Sequence, residues 1–193
     1  MATTKNKTSE YRVVGTRPVR PDGVDKVTGR AKFGVDYQAV DLLQAKVLRS
    51  PHAHARIKSL DVSKALKYPG VKAIVTREDF PDLASEFVSV GELMANYRDV
   101  TRNIMAREKV LYEGHAVAAV AANSPTVARH ALSLIKVDYE VLPHVLDVME
   151  AVKSDAILLQ EDLLTDGASP PANNPSNIAK RVEFGHGDVA VGF

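Results

Sequence analysis

Arg49-Ser50-Pro51-His52-Ala53-His54-Ala55-Arg56 is the most unusual stretch of the chain. Two histidines at i and i+2 on an extended backbone point the same way, an arrangement that can hold Zn or Cu. The stretch contains no carboxylate or thiolate, and Arg49 and Arg56 repel a cation. It is therefore read as a turn that packs its histidines against a partner or caps strand ends, and no metal ligand is assigned. His115, His130, His144 and His186 stand singly and are read as structural. Gly185-His186-Gly187-Asp188 is glycine-dense but lacks the Lys-Ser/Thr end and helix start of a phosphate loop, so a turn is expected. Glu78-Asp79 and Glu161-Asp162 are adjacent pairs. An acid/base couple needs its two carboxyls in separate environments, so these are read as solvated groups or caps. The motifs Gly-x-x-x-x-Gly-Lys-Ser/Thr, Gly-x-Gly-x-x-Gly, Gly-x-Ser-x-Gly and His-Glu-x-x-His are absent. No catalytic and no cofactor-binding residue is assigned.

The elements that must position these residues follow from periodicity and turn chemistry. Residues 1–10 are polar and read as a mobile tail. Tyr11 to Asp25 is an extended lead-in, since Pro18 and Pro21 exclude a helix there. Strands are expected over 42–48 and 56–61. Asp61 can cap a short helix through Val62, Ala65 and Leu66, which Pro69-Gly70 stops. Val71 to Val75 has good strand propensity, and Thr76 with Asp79 forms a capping-box variant. Ala84 to Glu108 has no clean period and is expected to be irregular or functional structure. Val110 to Tyr112 is a short strand. His115 to Ala122 is apolar throughout, which suggests a central strand buried on both sides.

Ser124 caps the strongest helix, with Pro125 at its first position. Val127/Ala128, Ala131/Leu132 and Ile135 form one apolar stripe. Val137 to Val141 alternates as a strand with one wet face and stops at Pro143. A short helix is expected from Asp147 to Val152. Asp166 to Asn177 reads as a linker, and Ala179 to Phe184 as one more strand. The strand–helix–strand order occurs twice, which makes the core α/β or α+β.

Composition narrows the classes. The chain has 193 residues, 45% of them apolar and 25% charged, as an average globular protein does. Lys+Arg is 25 against Asp+Glu 24, so no basic excess marks a nucleic-acid footprint. Cys is 0, which excludes disulfides, thiolate metal sites and iron–sulfur ligation by this chain. No apolar run approaches the ~18 residues of a membrane span, and the first ten residues have no apolar segment of a secretion signal.

Several blocks, in order, resemble one family. Lys26-Val27-Thr28-Gly29-Arg30-Ala31-Lys32-Phe33, with Asp36 after it, resembles the opening of the molybdenum-cofactor subunits of the xanthine dehydrogenase/aldehyde oxidase family. Arg49 to Ile57 resembles the signature that follows, as does Pro69-Gly70-Val71 leading to Ile74-Val75-Thr76 and Asp79. Val110-x-Tyr112-x-Gly114-His115-x-Val117-Ala118 and Val137-Asp138-Tyr139-Glu140-x-Leu142-Pro143 are similar to two later blocks. Asn177-Ile178 and Gly187-Asp188-Val189 resemble the joint into the next domain. One departure stands out: the family's Gly-Glu-Pro-Val is here Gly114-His115-Ala116-Val117, which loses a carboxylate and a proline.

The resemblance implies an α+β fold, the α/β hammerhead domain, with a mixed sheet and a few helices. It implies an extended lead-in at 1–20, the hammerhead at 21–160, and a linker with the start of the connection to the molybdopterin-binding domains at 161–193. Such enzymes use molybdopterin, [2Fe–2S] clusters and usually FAD, and hydroxylate aldehydes or electron-poor rings with oxygen from water. Their catalytic glutamate and pterin loops lie in later domains, so no catalytic residue carries over. The expected role is a scaffold segment or split subunit, inactive alone and binding no cofactor alone. Its partners would be a molybdopterin-binding portion, an iron–sulfur subunit and an FAD subunit. Arg49, His52, His54 and Arg56 are the expected inter-domain contact. A cytoplasmic location is expected, or a periplasmic one through a partner's signal. The alternative is a free-standing binding or assembly module of the same fold.

Overall fold

The computed structural model describes residues 12–91 and 93–192. The tail expected at 1–10 and Tyr11 lie outside them. The chain divides into two compact units between Leu42 and Leu43.

In the first unit, α1 (Gly23–Val27) begins two residues after Pro21. The extended lead-in expected to reach Asp25 therefore ends sooner. The chain turns helical as soon as proline no longer forbids it, and Lys26 pairs with Asp22 at 2.6 Å across one turn. No described residue up to Leu42 is buried.

The second unit holds, in chain order, β1 (Gln44–Arg49), β2 (Ala55–Asp61), α2 (Ser63–Leu66), β3 (Val71–Val75), β4 (Phe87–Val90), β5 (Leu93–Asn96) and α3 (Tyr97–Ile104). It continues with β6 (Lys109–Val110), β7 (Ala116–Ala122), α4 (Pro125–Leu134), β8 (Lys136–Val141), α5 (Val148–Ala151) and α6 (Val189–Gly192). Three antiparallel sheets result. The first has the order β1-β7-β3, the second β6-β2-β8, and β4-β5 is a hairpin.

The apolar run expected to be a central strand is β7, the middle of the first sheet. Its Ala118, Val120 and Ala122 are fully buried against Ala128, Ala131 and Ile135 of the α4 stripe. Alanines on both sides let helix and sheet approach closely. Ser124 Oγ accepts the Val127 N–H at 3.2 Å, with Pro125 in the first turn. A second cluster joins Ala55, Ile57, Ala106, Val110 and Val117. The two clusters share one strand, because Val117 faces one way and Ala118 the other.

Two further expectations need correction. Ala84 to Glu108 is largely regular: it holds the β4-β5 hairpin, turned at Gly91 (φ +63), and α3. Tyr97, Val100 and Ile104 recur at i, i+3 and i+7, but in eight mostly polar residues this stripe is too short to stand out. Asn96 starts the helix, its Oδ1 accepting the Arg98 N–H at 3.1 Å. Ala179 to Phe184 is not a strand. It makes a single bridge, Asp166 to Lys180, because no neighbouring strand offers it a ladder.

Candidate functional site

The Ser50–His54 segment crosses from the first sheet to the second, and two other turns close around it. Ser50 is buried and exchanges backbone hydrogen bonds with the 114–115 turn. Its N–H donates to His115 O at 2.9 Å, and Gly114 N–H donates to Ser50 O at 2.9 Å. Ser50 Oγ accepts the His52 N–H at 3.0 Å. On the other side, Leu142 N–H donates to His54 O at 3.0 Å. The crossover is thus pinned between the turn before β7 and the end of β8.

The four residues singled out there divide into inward and outward groups. His54 is buried, and its Nδ1 donates to Pro143 O at 2.7 Å. The carbonyl can only accept, so Nδ1 carries the proton. His54 Nε2 is buried with no hydrogen-bond partner. His52 lies edge-on to Tyr139, with ring centroids 5.0 Å apart and planes at 74°. Burial raises the Tyr139 pKa, opposed by a hydrogen bond with Ser50. Arg49 is exposed and donates from Nη1 to Gly114 O at 2.8 Å. Arg56 is exposed on β2 and lies 3.8 Å from its cross-strand partner Glu140. The two histidines therefore diverge in partners: one ring holds a carbonyl inside and the other rests on an aromatic face. Among the described residues no three His, Asp or Glu side chains converge as a metal ion requires.

His115 is the residue that sequence reasoning undervalued. It is fully buried. Its Nδ1 accepts the Leu111 N–H at 3.2 Å, and its Nε2 donates to Arg102 O at 2.9 Å. Tyr112 stacks on it at 4.4 Å. His115 thus ties the end of α3 to the turn before β7. Burial lowers its pKa, against hydrogen bonds to the Arg102 and Asn103 backbone. The sequence held a partial signal: a histidine at the head of a wholly apolar strand is a candidate for burial, and a buried ring needs hydrogen-bond partners.

Both adjacent acidic pairs have structural partners. Asp79 Oδ2 accepts the Thr76 N–H at 2.7 Å. Glu161 pairs with Lys109 at 2.9 Å and Asp162 with Arg98 at 2.6 Å. A side chain committed to a cap or an ion pair is not poised to shuttle a proton.

A family model described as "Aldehyde oxidase and xanthine dehydrogenase, a/b hammerhead domain" matches residues 28–143. The chain belongs to the aldehyde oxidase and xanthine dehydrogenase family. It is 36% identical over 175 residues to a probable xanthine dehydrogenase subunit of Bacillus subtilis, covering 91% of this chain and 20% of that one. It is 32% identical over 184 residues to the nicotinate dehydrogenase large molybdopterin subunit of Eubacterium barkeri, covering 95% and 38%. Among solved structures, the reconstituted CO dehydrogenase from Oligotropha carboxidovorans superposes with a TM-score of 0.59 at 34% identity. That match covers 74% of this chain and 17% of the other. The chain thus spans 20% of the first of these curated relatives.

The hammerhead fold expected from the resemblance is the fold observed. An iron–sulfur cluster does not fit the residues of this chain. No cysteine exists to hold an iron–sulfur cluster. Neither longer helix offers a phosphate cradle. Asp99 sits in the first turn of α3, and Pro125 removes an N–H from the first turn of α4. No step of molybdenum chemistry is assigned to this chain.

Proposed function

We propose that this chain is the N-terminal scaffold segment, or a split subunit, of a molybdenum hydroxylase, and is non-catalytic alone. The supporting observation is the hammerhead match over 28–143 in a chain that spans 20% of its Bacillus subtilis relative. The complete enzyme would hydroxylate an aldehyde or an electron-poor heterocycle with oxygen from water. Molybdopterin would sit in the molybdenum-binding portion, with [2Fe–2S] clusters and FAD in partner subunits. Substrate and electron acceptor would be set there too.

Arg49, His52 and Arg56 would supply the inter-domain contact, with His54 bracing the crossover from inside. We place the complex in the cytoplasm; a periplasmic site would need an export signal on a partner. No helix among the described residues is long and apolar enough to cross a membrane.

The test is the metal content of whatever complex co-purifies with the chain from cells that make it. Molybdenum near one atom per chain is the expected result. A chain that stays alone and molybdenum-free overturns the reading and favours a free-standing module. Arg56→Ala should reduce the molybdenum recovered with little change in the chain's own melting, since the exposed Arg56–Glu140 pair at 3.8 Å contributes little. Unchanged recovery removes Arg56 from the contact.

A further inference from the structure

The first sheet has one covered face and one open face. On the covered side, Lys46, Val120 and Ile74 lie in register, and α4 packs over that side of β7. On the other side two rows run across all three strands. Ala45, Ala121 and Ala73 form one, and Val47, Ala119 and Val75 the next. All six are apolar and all are small.

Val117, the next residue of β7 on this face, is fully buried in the second cluster. Beyond it the cover stops. Ala119, Ala121 and Val75 are half-buried, Ala45 and Ala73 are exposed, and Val47 is 40% exposed. An antiparallel sheet with a truly wet face alternates apolar with polar residues. β8 in this same chain does so, with Lys136, Asp138 and Glu140 outward. The first sheet does not. Its sequence is that of a sheet covered on both sides, yet within its own unit only one side is covered.

We infer that the face formed by Ala45, Val47, Ala73, Val75, Ala119 and Ala121 is the docking surface for an apolar layer of the rest of a molybdenum-binding subunit. The inference rests on the functional reading above. In the Bacillus subtilis relative about four-fifths of the chain lies outside the matched part, so further chain joined to this fold exists there to supply a layer. The size of the face argues for the same occupant. Three strands span about 10 Å and two same-face rows about 7 Å, far below the ~800 Å² a side of a stable dimer. A second copy would have too little to hold. A layer that is also tied to this fold elsewhere has enough. Alanines in the central row let that layer approach the sheet backbone closely, which excludes water from the strands.

The chain has no cysteine, so one introduced thiol is its only thiol. Ala45→Cys and Ala73→Cys place it on the open face, and Lys64→Cys places it on the exposed side of α2. In the purified chain all three should react with a maleimide at similar rates. In the molybdenum-containing complex the first two should slow at least about tenfold while Lys64→Cys is unchanged. Ala73→Glu should leave the chain's circular dichroism intact and reduce co-purified molybdenum at least about tenfold, since a carboxylate would be buried unpaired. Full reactivity in the complex, or full molybdenum recovery with Ala73→Glu, overturns the inference and leaves the functional reading standing. A chain that recruits no molybdenum at all overturns both. Protection in the purified chain with a doubled mass assigns the face to a second copy and overturns the inference alone.

Discussion

His115 carries the sharpest residue-level consequence. Its Nδ1 accepts the Leu111 N–H, so a second proton there would set two donors face to face at 3.2 Å. Burial holds its folded pKa below the free value of 6.5. The unfolded chain therefore takes up this proton first as the pH falls. The stability His115 supports is whole above about pH 6.5 and drains as the pH drops through the folded value. Melting temperature should fall between pH 7.5 and pH 5, and His115→Leu should flatten that dependence. Equal slopes in both proteins would sink the assignment. His115→Ala should cost roughly 2–4 kcal/mol at pH 7.5 in urea unfolding, from the cavity plus two stranded backbone groups.

At the level of elements, the contact between α4 and the first sheet depends on small residues. Ala128 and Ala131 are fully buried against β7. Ala131→Leu adds three carbons where none fit and should destabilise by about 1–3 kcal/mol. Ser124→Ala removes only the cap and should cost about 1 kcal/mol. The order of the two, read by chemical denaturation, tests whether packing or capping holds the helix. Gly70 is the other sensitive point. It sits at φ +91 before β3, and a Cβ there would lie 2.7 Å from Asn123 Oδ1. Asn123 can swing aside, so backbone strain dominates, and Gly70→Ala should cost about 1–2 kcal/mol. A neutral result would mean that the turn opens without penalty.

For the molecule as a whole, the stretch after α5 is held by few bonds. Asn177 Nδ2 donates to Ala151 O at 3.1 Å and Ile157 O at 2.9 Å, and its Oδ1 accepts the Leu159 N–H at 3.1 Å. Arg98–Asp162 and Lys109–Glu161 are the ion pairs that tie the same stretch to α3 and β6. Asp162 and Glu161 are largely exposed, so these pairs weaken with salt and contribute little alone. Asn177→Ala should therefore speed protease cleavage within 166–176 several-fold, while amide protection of β7 stays unchanged. Mass-spectrometric mapping of the first cut decides this. A first cut inside either three-stranded sheet would contradict it.

Local patterns told most about the elements whose signals are local. Ser124-Pro125 with its stripe, Pro69-Gly70 as a stop, Thr76 with Asp79 as a cap, and the alternation of 137–141 all became what their residue types imply. Each rests on hydrogen bonds or periodicity within a few residues. The β4-β5 hairpin and α3 were not legible, because the helical recurrence of Tyr97, Val100 and Ile104 spans only eight residues and the cap, Asn96, sits at the end of a strand. Ala179 to Phe184 shows the reverse: strand propensity without a neighbour makes no sheet. Composition also excluded cluster ligation by this chain, since zero cysteines leave no ligand. What needed the folded chain was every choice between inside and outside. His52 and His54 are two residues apart, yet one rests on Tyr139 and the other is sealed against Pro143. The apolar run of β7 announces two covered faces, but only strand pairing reveals that the bare one is built from β1, β7 and β3. The reason is physical. Propensity and capping act along the chain, whereas burial and register are set by segments tens of residues apart that meet only when the sheets close.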